Sequence, residues 1–174
     1  QVRARGGDHR WRWIMWDTDL VMGSPNWVAW EHNMYGHVDG GHIAGANWST
    51  LHFRRFKESA AFRAVFCNRT ADLLNTVLAS GHVRDVIDDW ADVLRPDIVF
   101  ETDRWGSSPR DWEGNVWILG AFADQRDDRF WDHTKQFWGI GGRWWLTVEP
   151  PQGEGSVIVN TLHLRGFPWS GRYF

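Results

Sequence analysis

The stretch "FRAVFCNRTADLLNTVLASGHVRDVIDDWADVLRP", residues 62–96, decides the fold class. Phe62, Phe66, Leu73 and Val77, joined by Val65 and Leu74, recur at steps of three and four residues, the spacing that places side chains on one face of a helix. The period predicts a helix buried along that face and ending near Ser80. Ser80 then stands as the cap of a second helix, because its hydroxyl can accept from the free N–H groups of a first turn. Val83, Val86, Ile87, Trp90, Val93 and Leu94 carry the apolar stripe of that second helix. Pro96, which has no N–H to donate, stops it.

Downstream the same signals repeat. Ser108, with Pro109 at the first helical position and Asp111 at the third, marks a helix start, and Trp112, Val116, Leu119 and Phe122 supply its stripe. A further helix is expected from about residue 125 to Trp138, closed by Gly139. After "GIGG" the period falls to two. Trp144, Leu146 and Val148 share one strand face, and Val157, Val159 and Thr161 follow the turn-rich "PPQGEG", which predicts a β-hairpin. Upstream, the alternation from Trp11 to Trp16 predicts a strand ending at Asp17, and residues 23–49 show no sustained period and read as a long loop. The expected fold is α+β and mainly helical, with an N-terminal strand and a C-terminal β-hairpin appendage. Residues 1–138 form one unit in this reading, and residues 139–174 begin a small β domain.

The bulk properties bound the function. The 174 residues contain 43% hydrophobic side chains, enough for one ordinary core, and the net charge is −3 with cations scattered along the chain. No basic face points to nucleic acid. No apolar run approaches the roughly 20 residues that cross a bilayer. A lone Cys67 excludes a disulfide framework or a cysteine metal site. Fifteen tryptophans are spread along the chain, and most are expected to be packing residues, with a sugar-stacking platform as the other reading. The chain opens with Gln1 and stops in the strand-like "WSGRYF", so both ends are expected to be cuts.

Two sets of residues could carry chemistry. Asp17 and Asp19 stand at the tip of the aromatic strand, where carboxylate oxygens can hold a hard cation against phosphate, or can simply form a turn or cap a helix. His32, His37 and His42 stand five residues apart, with Glu31 and Asp39 between them. Their spacing fits no standard zinc pattern, which leaves a metal site or a solvated loop in contact with a substrate. Neither a nucleophile elbow nor a phosphate-binding glycine loop is present.

Four pieces, in order, resemble the CotH kinase family of spore-coat and bacterial surface proteins. They are "WRWIMWDTDLVMG"; "FKESAAFRAVFCNRTADLLNTVL"; "VLRPDIVFETDRWG" followed by "WEGNVWILGAFADQRDDRFWDH"; and "LTVEPPQGEGSVIVNTL". Together they span nearly the whole chain. The resemblance implies the C-terminal lobe of an atypical protein-kinase-like fold that transfers phosphate from ATP to protein serine or threonine with Mg2+ or Mn2+. Asp17 would be the direct ligand of the ATP-bound metal, and Asp19 a second ligand or the partner behind the first. The loop over residues 24–47, with His32, His37 and His42, would lie near the protein substrate. Met22 and Asp97 are mild departures from the family, which often has an aromatic and a glutamate there. The ATP-binding N-terminal lobe, its basic phosphate contact and the loop carrying the catalytic base are expected upstream of residue 1. No catalytic base lies within the 174 residues in this reading, and the chain alone is expected to be inactive. The family also implies an extracytoplasmic, cell-surface or spore-coat location, and it leaves a second role open, that of a non-catalytic scaffold.

Overall fold

A computed structural model describes residues 2–3, 11–12, 21–23, 29–40, 48–153 and 155–174. The fold is α+β and mostly helical. Two short antiparallel strands, β1 (Val2–Arg3) and β2 (Trp11–Arg12), pair near the start. The helices follow: α1 (Met34–Val38), α2 (Leu51–Phe56), α3 (Ala60–Leu74), α4 (Ser80–Leu94), α5 (Ile98–Trp105) and α6 (Pro109–Trp138). Strands β3 (Trp144–Val148), β4 (Val157–Val159), β5 (Leu162–Leu164) and β6 (Trp169–Tyr173) complete the chain.

The long helix α6 is the pillar of the molecule. Ser108 Oγ accepts from the Asp111 N–H at 3.2 Å, and the Asp111 carboxylate accepts from the Ser108 N–H at 3.1 Å, which closes a capping box behind Pro109. Gly139 ends the helix in the left-handed region at φ 64°. Two expected helices, one from Ser108 and one from about residue 125, are thus a single helix of 30 residues. No glycine or proline interrupts residues 121–138, so nothing breaks the backbone ladder there. Gly120 lies inside this helix because α4 crosses it closely: an added Cβ would collide with the Arg84 guanidinium, which reaches over to Asp124 at 3.2 Å.

Pro96 ends α4 as the sequence predicts, and a 3-10 turn over Arg95–Asp97 leads directly into α5. Ala79, not Ser80, occupies the cap position of α4, and Ser80 is its first residue. The buried face of α3 also differs from the apolar count. Cys67, Thr70, Ala71, Asp72 and Leu74 are buried, whereas Val65 is 68% and Val77 is 53% exposed. α3 stops at Leu74, short of Val77, and the polar Asp72 faces a docked partner.

That partner is the C-terminal β unit. A hairpin is present, but it joins β4 to β5, with Val157 opposite Leu164 and the turn at Asn160 and Thr161. β3 instead pairs antiparallel with β6, Trp144 opposite Tyr173, across a connection of 20 residues. Thr161 therefore sits in the turn, where it donates to Asp72 from its N–H at 2.9 Å and from its hydroxyl at 2.6 Å. Tyr173 donates to the other Asp72 oxygen at 2.7 Å. The Asn75 side chain accepts from the Arg172 N–H and donates to the Arg172 carbonyl, imitating one more strand against β6. Ala71, Leu74 and Trp131 form the core here, and Phe130, Tyr173 and Phe174 close over it.

The tryptophans divide. Among the described residues Trp131 and Trp138 are buried and Trp30, Trp112 and Trp169 half-buried, but Trp48, Trp90, Trp105, Trp117, Trp144 and Trp145 are each more than 60% exposed, so packing inside this chain does not account for those six.

Candidate functional site

The segment that follows Asp17 and Asp19 in sequence meets the helical body at two places. Asp17, Asp19 and His42 themselves lie outside the described residues. Val21 and Met22 close one side of a cleft of about 350 Å³ whose walls include Leu74, Val83, Phe122 and Phe130. Arg126 and Asp127 stand at its edge. The second place is the segment from Ala29 to Gly40, which lies along one face of α6.

Helical spacing explains that docking. Arg126, Arg129, Phe130, Thr134 and Phe137 recur at steps of three and four along α6, so all five project from one face. One guanidinium nitrogen of Arg126 donates to the Trp30 carbonyl at 2.9 Å and to the His32 carbonyl at 2.8 Å. Arg129 pairs with Glu31 at 2.8 Å. The Tyr35 ring stacks on Phe137 at 4.6 Å and on Phe130 at 5.9 Å, and its hydroxyl meets Thr134 Oγ1 at 2.9 Å. Asn33 caps α1 by accepting from the Tyr35 N–H at 3.0 Å, which fixes the turn that aims this ring. Lys57 at the end of α2 pairs with Asp39.

The electrostatics follow from burial. Desolvation lowers the pKa of Arg126, whose partners are neutral carbonyls rather than a carboxylate. Desolvation raises Tyr35 above its ordinary 10.0 more than its hydrogen bonds lower it. Burial, then the neighbouring Arg126, holds His133 below the usual imidazole range, and its Nδ1 is buried without a hydrogen-bond partner. Asp127 is pushed up by burial, against the pull of Arg172 at 3.1 Å.

Of the three histidines, His32 is held through its backbone carbonyl just after the Ala29–Glu31 turn, and His37 lies in the last turn of α1. Among the described residues no group of three or more His, Cys, Asp or Glu could hold a metal ion. The residues that position the segment are Arg126, Arg129, Tyr35 and Thr134, which the sequence reading passed over. A usable signal existed: Arg126 and Thr134 interrupt the four-residue apolar row of Phe122 and Phe130, and a cation inside such a row needs a partner from elsewhere in the fold.

No curated protein and no solved structure matches the chain. The family model described as CotH kinase protein matches residues 4–129, a span that holds both aspartates, the docked segment and the helices through most of α6. The match covers well over half of the sequence, and the chain belongs to the CotH kinase family.

Proposed function

We propose that the polypeptide containing this chain transfers phosphate from ATP to serine or threonine of a protein substrate, with Asp17 holding the ATP-bound metal and Asp19 as a second ligand or the partner behind it. The observation that carries this reading is the family match over residues 4–129, which includes the D-x-D pair. The donor set suits the ion: two carboxylates offer the oxygen ligands that Mg2+ or Mn2+ takes. When bound, the metal and ATP supply the phosphoryl group and neutralise charge developing on it. The chain's own residues hold the segment after the aspartates in place: Arg126 and Arg129 fix its backbone and Glu31, and Tyr35 keys it to α6. His32, His37 and His42 belong to the substrate-facing loop in this reading. Catalysis by positioning needs the complementary lobe with its base, so the 174 residues alone are inactive.

The test uses a longer chain that carries the upstream lobe. Asp17→Asn is expected to lower metal-dependent phosphate transfer about 100-fold or more, with an unchanged thermal melt. Full transfer by that variant would remove Asp17 from the metal. No ATP binding by the longer wild-type chain in calorimetry would favour the scaffold role instead.

A further inference from the structure

We propose that the outer face of α4 and α5 is a docking surface for a cationic amphipathic segment of another polypeptide, one with apolar anchors flanked by lysine or arginine. Val86, Trp90 and Val93 recur at helical spacing, with Leu94 beside them, and this stripe points away from the α4 residue Ala91 that packs inward. Trp90 is 64% and Val93 is 67% exposed. The stripe runs into a groove of about 440 Å³ at the junction with α5, where Leu94, Ile98 and Phe100 supply apolar surface. Phe100 is 71% exposed. A contiguous apolar patch of this kind, built around large aromatic side chains, has the composition of an interface centre.

Charge identifies the occupant. Residues 84–104 contain seven carboxylates and three arginines, a formal charge of −4 against −3 for the whole chain. Of the three cations, Arg95 is held between Asp92 and Glu113, and Arg84 between Asp88 and Asp124. Asp97, Glu101 and Arg104 line the groove itself; the two carboxylates make no ion pair among the described residues, and the Arg104 guanidinium lies over the Trp105 ring at 5.2 Å. An acidic rim around an apolar floor favours encounter with a basic partner and disfavours nucleic acid or an anionic lipid surface. A helix carrying anchors at steps of three and four residues matches the stripe. None of these residues lines the cleft beside Val21 and Met22, so the surface stands independently of the phosphate-transfer reading.

The experiment measures fluorescence anisotropy of two synthetic helical peptides, one of leucine and lysine and one with glutamate at every lysine, against the 174-residue chain. The lysine peptide is expected to bind at least about tenfold tighter, with affinity falling as salt rises. Trp90→Ser with Phe100→Ser should weaken it about tenfold or more, and Asp97→Asn with Glu101→Gln about fivefold. Glu58→Gln with Glu149→Gln changes net charge equally at exposed sites elsewhere and should change affinity less than about twofold. All six positions are at the surface, so an unchanged thermal melt is the accompanying control. Equal binding of both peptides, or equal weakening by the two charge-neutralising pairs, overturns the proposal. Self-association of the unliganded chain that Trp90→Ser with Phe100→Ser abolishes would also overturn it, by making a second copy the occupant.

Discussion

The junction of α3 with the C-terminal strands and the outer face of α4 and α5 invert the usual division of polar and apolar side chains. At the junction Asp72 is fully buried. On the outer face Trp90, Val93 and Phe100 are exposed. The first arrangement is stable because both oxygens of the buried Asp72 have donors: one receives Thr161 twice, the other Tyr173 and, at 3.4 Å, Asn160. The second has no such internal partner. Burial in this protein therefore follows the presence of a complementary group more closely than it follows hydrophobicity, and where no group within the chain is complementary, the surface points outward to one.

The largest effect should come from breaking the junction at its centre. Asp72→Ala leaves the Thr161 N–H and the Tyr173 hydroxyl without their acceptor in a fully buried site, and a loss of about 3 kcal/mol is expected in chemical denaturation. Asp72→Asn keeps the shape and one acceptor oxygen, and it should cost about half as much. If Asp72→Ala costs less than about 1 kcal/mol, that carboxylate does not hold the strands and the contrast between the two regions fails.

The same contrast shows which parts of the fold were legible in the sequence. Local signals read correctly: Ser108, Pro109 and Asp111 start a helix, Gly139 ends one, and Pro96 stops another, because each acts through its own backbone or that of its immediate neighbours. Signals that depend on distant partners did not. β3 finds β6 rather than the nearer β4, and nothing within residues 144–164 encodes that choice. The acceptor for Thr161 lies 89 positions earlier in the chain. Val65 satisfied the helical period of α3 yet faces outward, since Asp72 had distant partners to meet, and Val77 lies beyond the end of the helix. At the candidate site the docking residues of α6 were hidden for the same reason: Arg126 bonds to carbonyls that no sequence pattern marks. Asp17 and Asp19, expected at the end of an aromatic strand, lie outside the described residues.

A smaller effect is expected where the Ala29–Gly40 segment meets α6. Tyr35→Phe removes the bond to Thr134 but keeps the ring stacked on Phe137, so the loss should be about 1 kcal/mol near neutral pH. Its pH dependence has a defined sign. Burial raises the folded-state pKa of Tyr35 above 10.0, so the neutral phenol's contribution is complete below pH 10 and is lost as pH rises from there. The stability gap between wild type and Tyr35→Phe should accordingly shrink above pH 10. Tyr173, raised by burial and by Asp72, adds a further alkaline loss common to both proteins. A gap that stays constant from pH 8 to 11 would mean that the phenol is already solvated in the folded chain.

The smallest effect is expected on the outer face, and its smallness is the informative result. Val93→Gln replaces an exposed apolar side chain of α4 with a straight-chain polar one of good helix propensity. Because Val93 leaves little water-free surface behind, the change in unfolding free energy should stay within about 0.5 kcal/mol. A polar side chain should also reduce the exposed patch and make the chain less prone to associate. A loss above about 1 kcal/mol would show that Val93 is packed within the chain itself. The stripe would then be an internal seam, and the two regions would obey one rule, with the acidic rim left as solvated surface rather than the border of an interface.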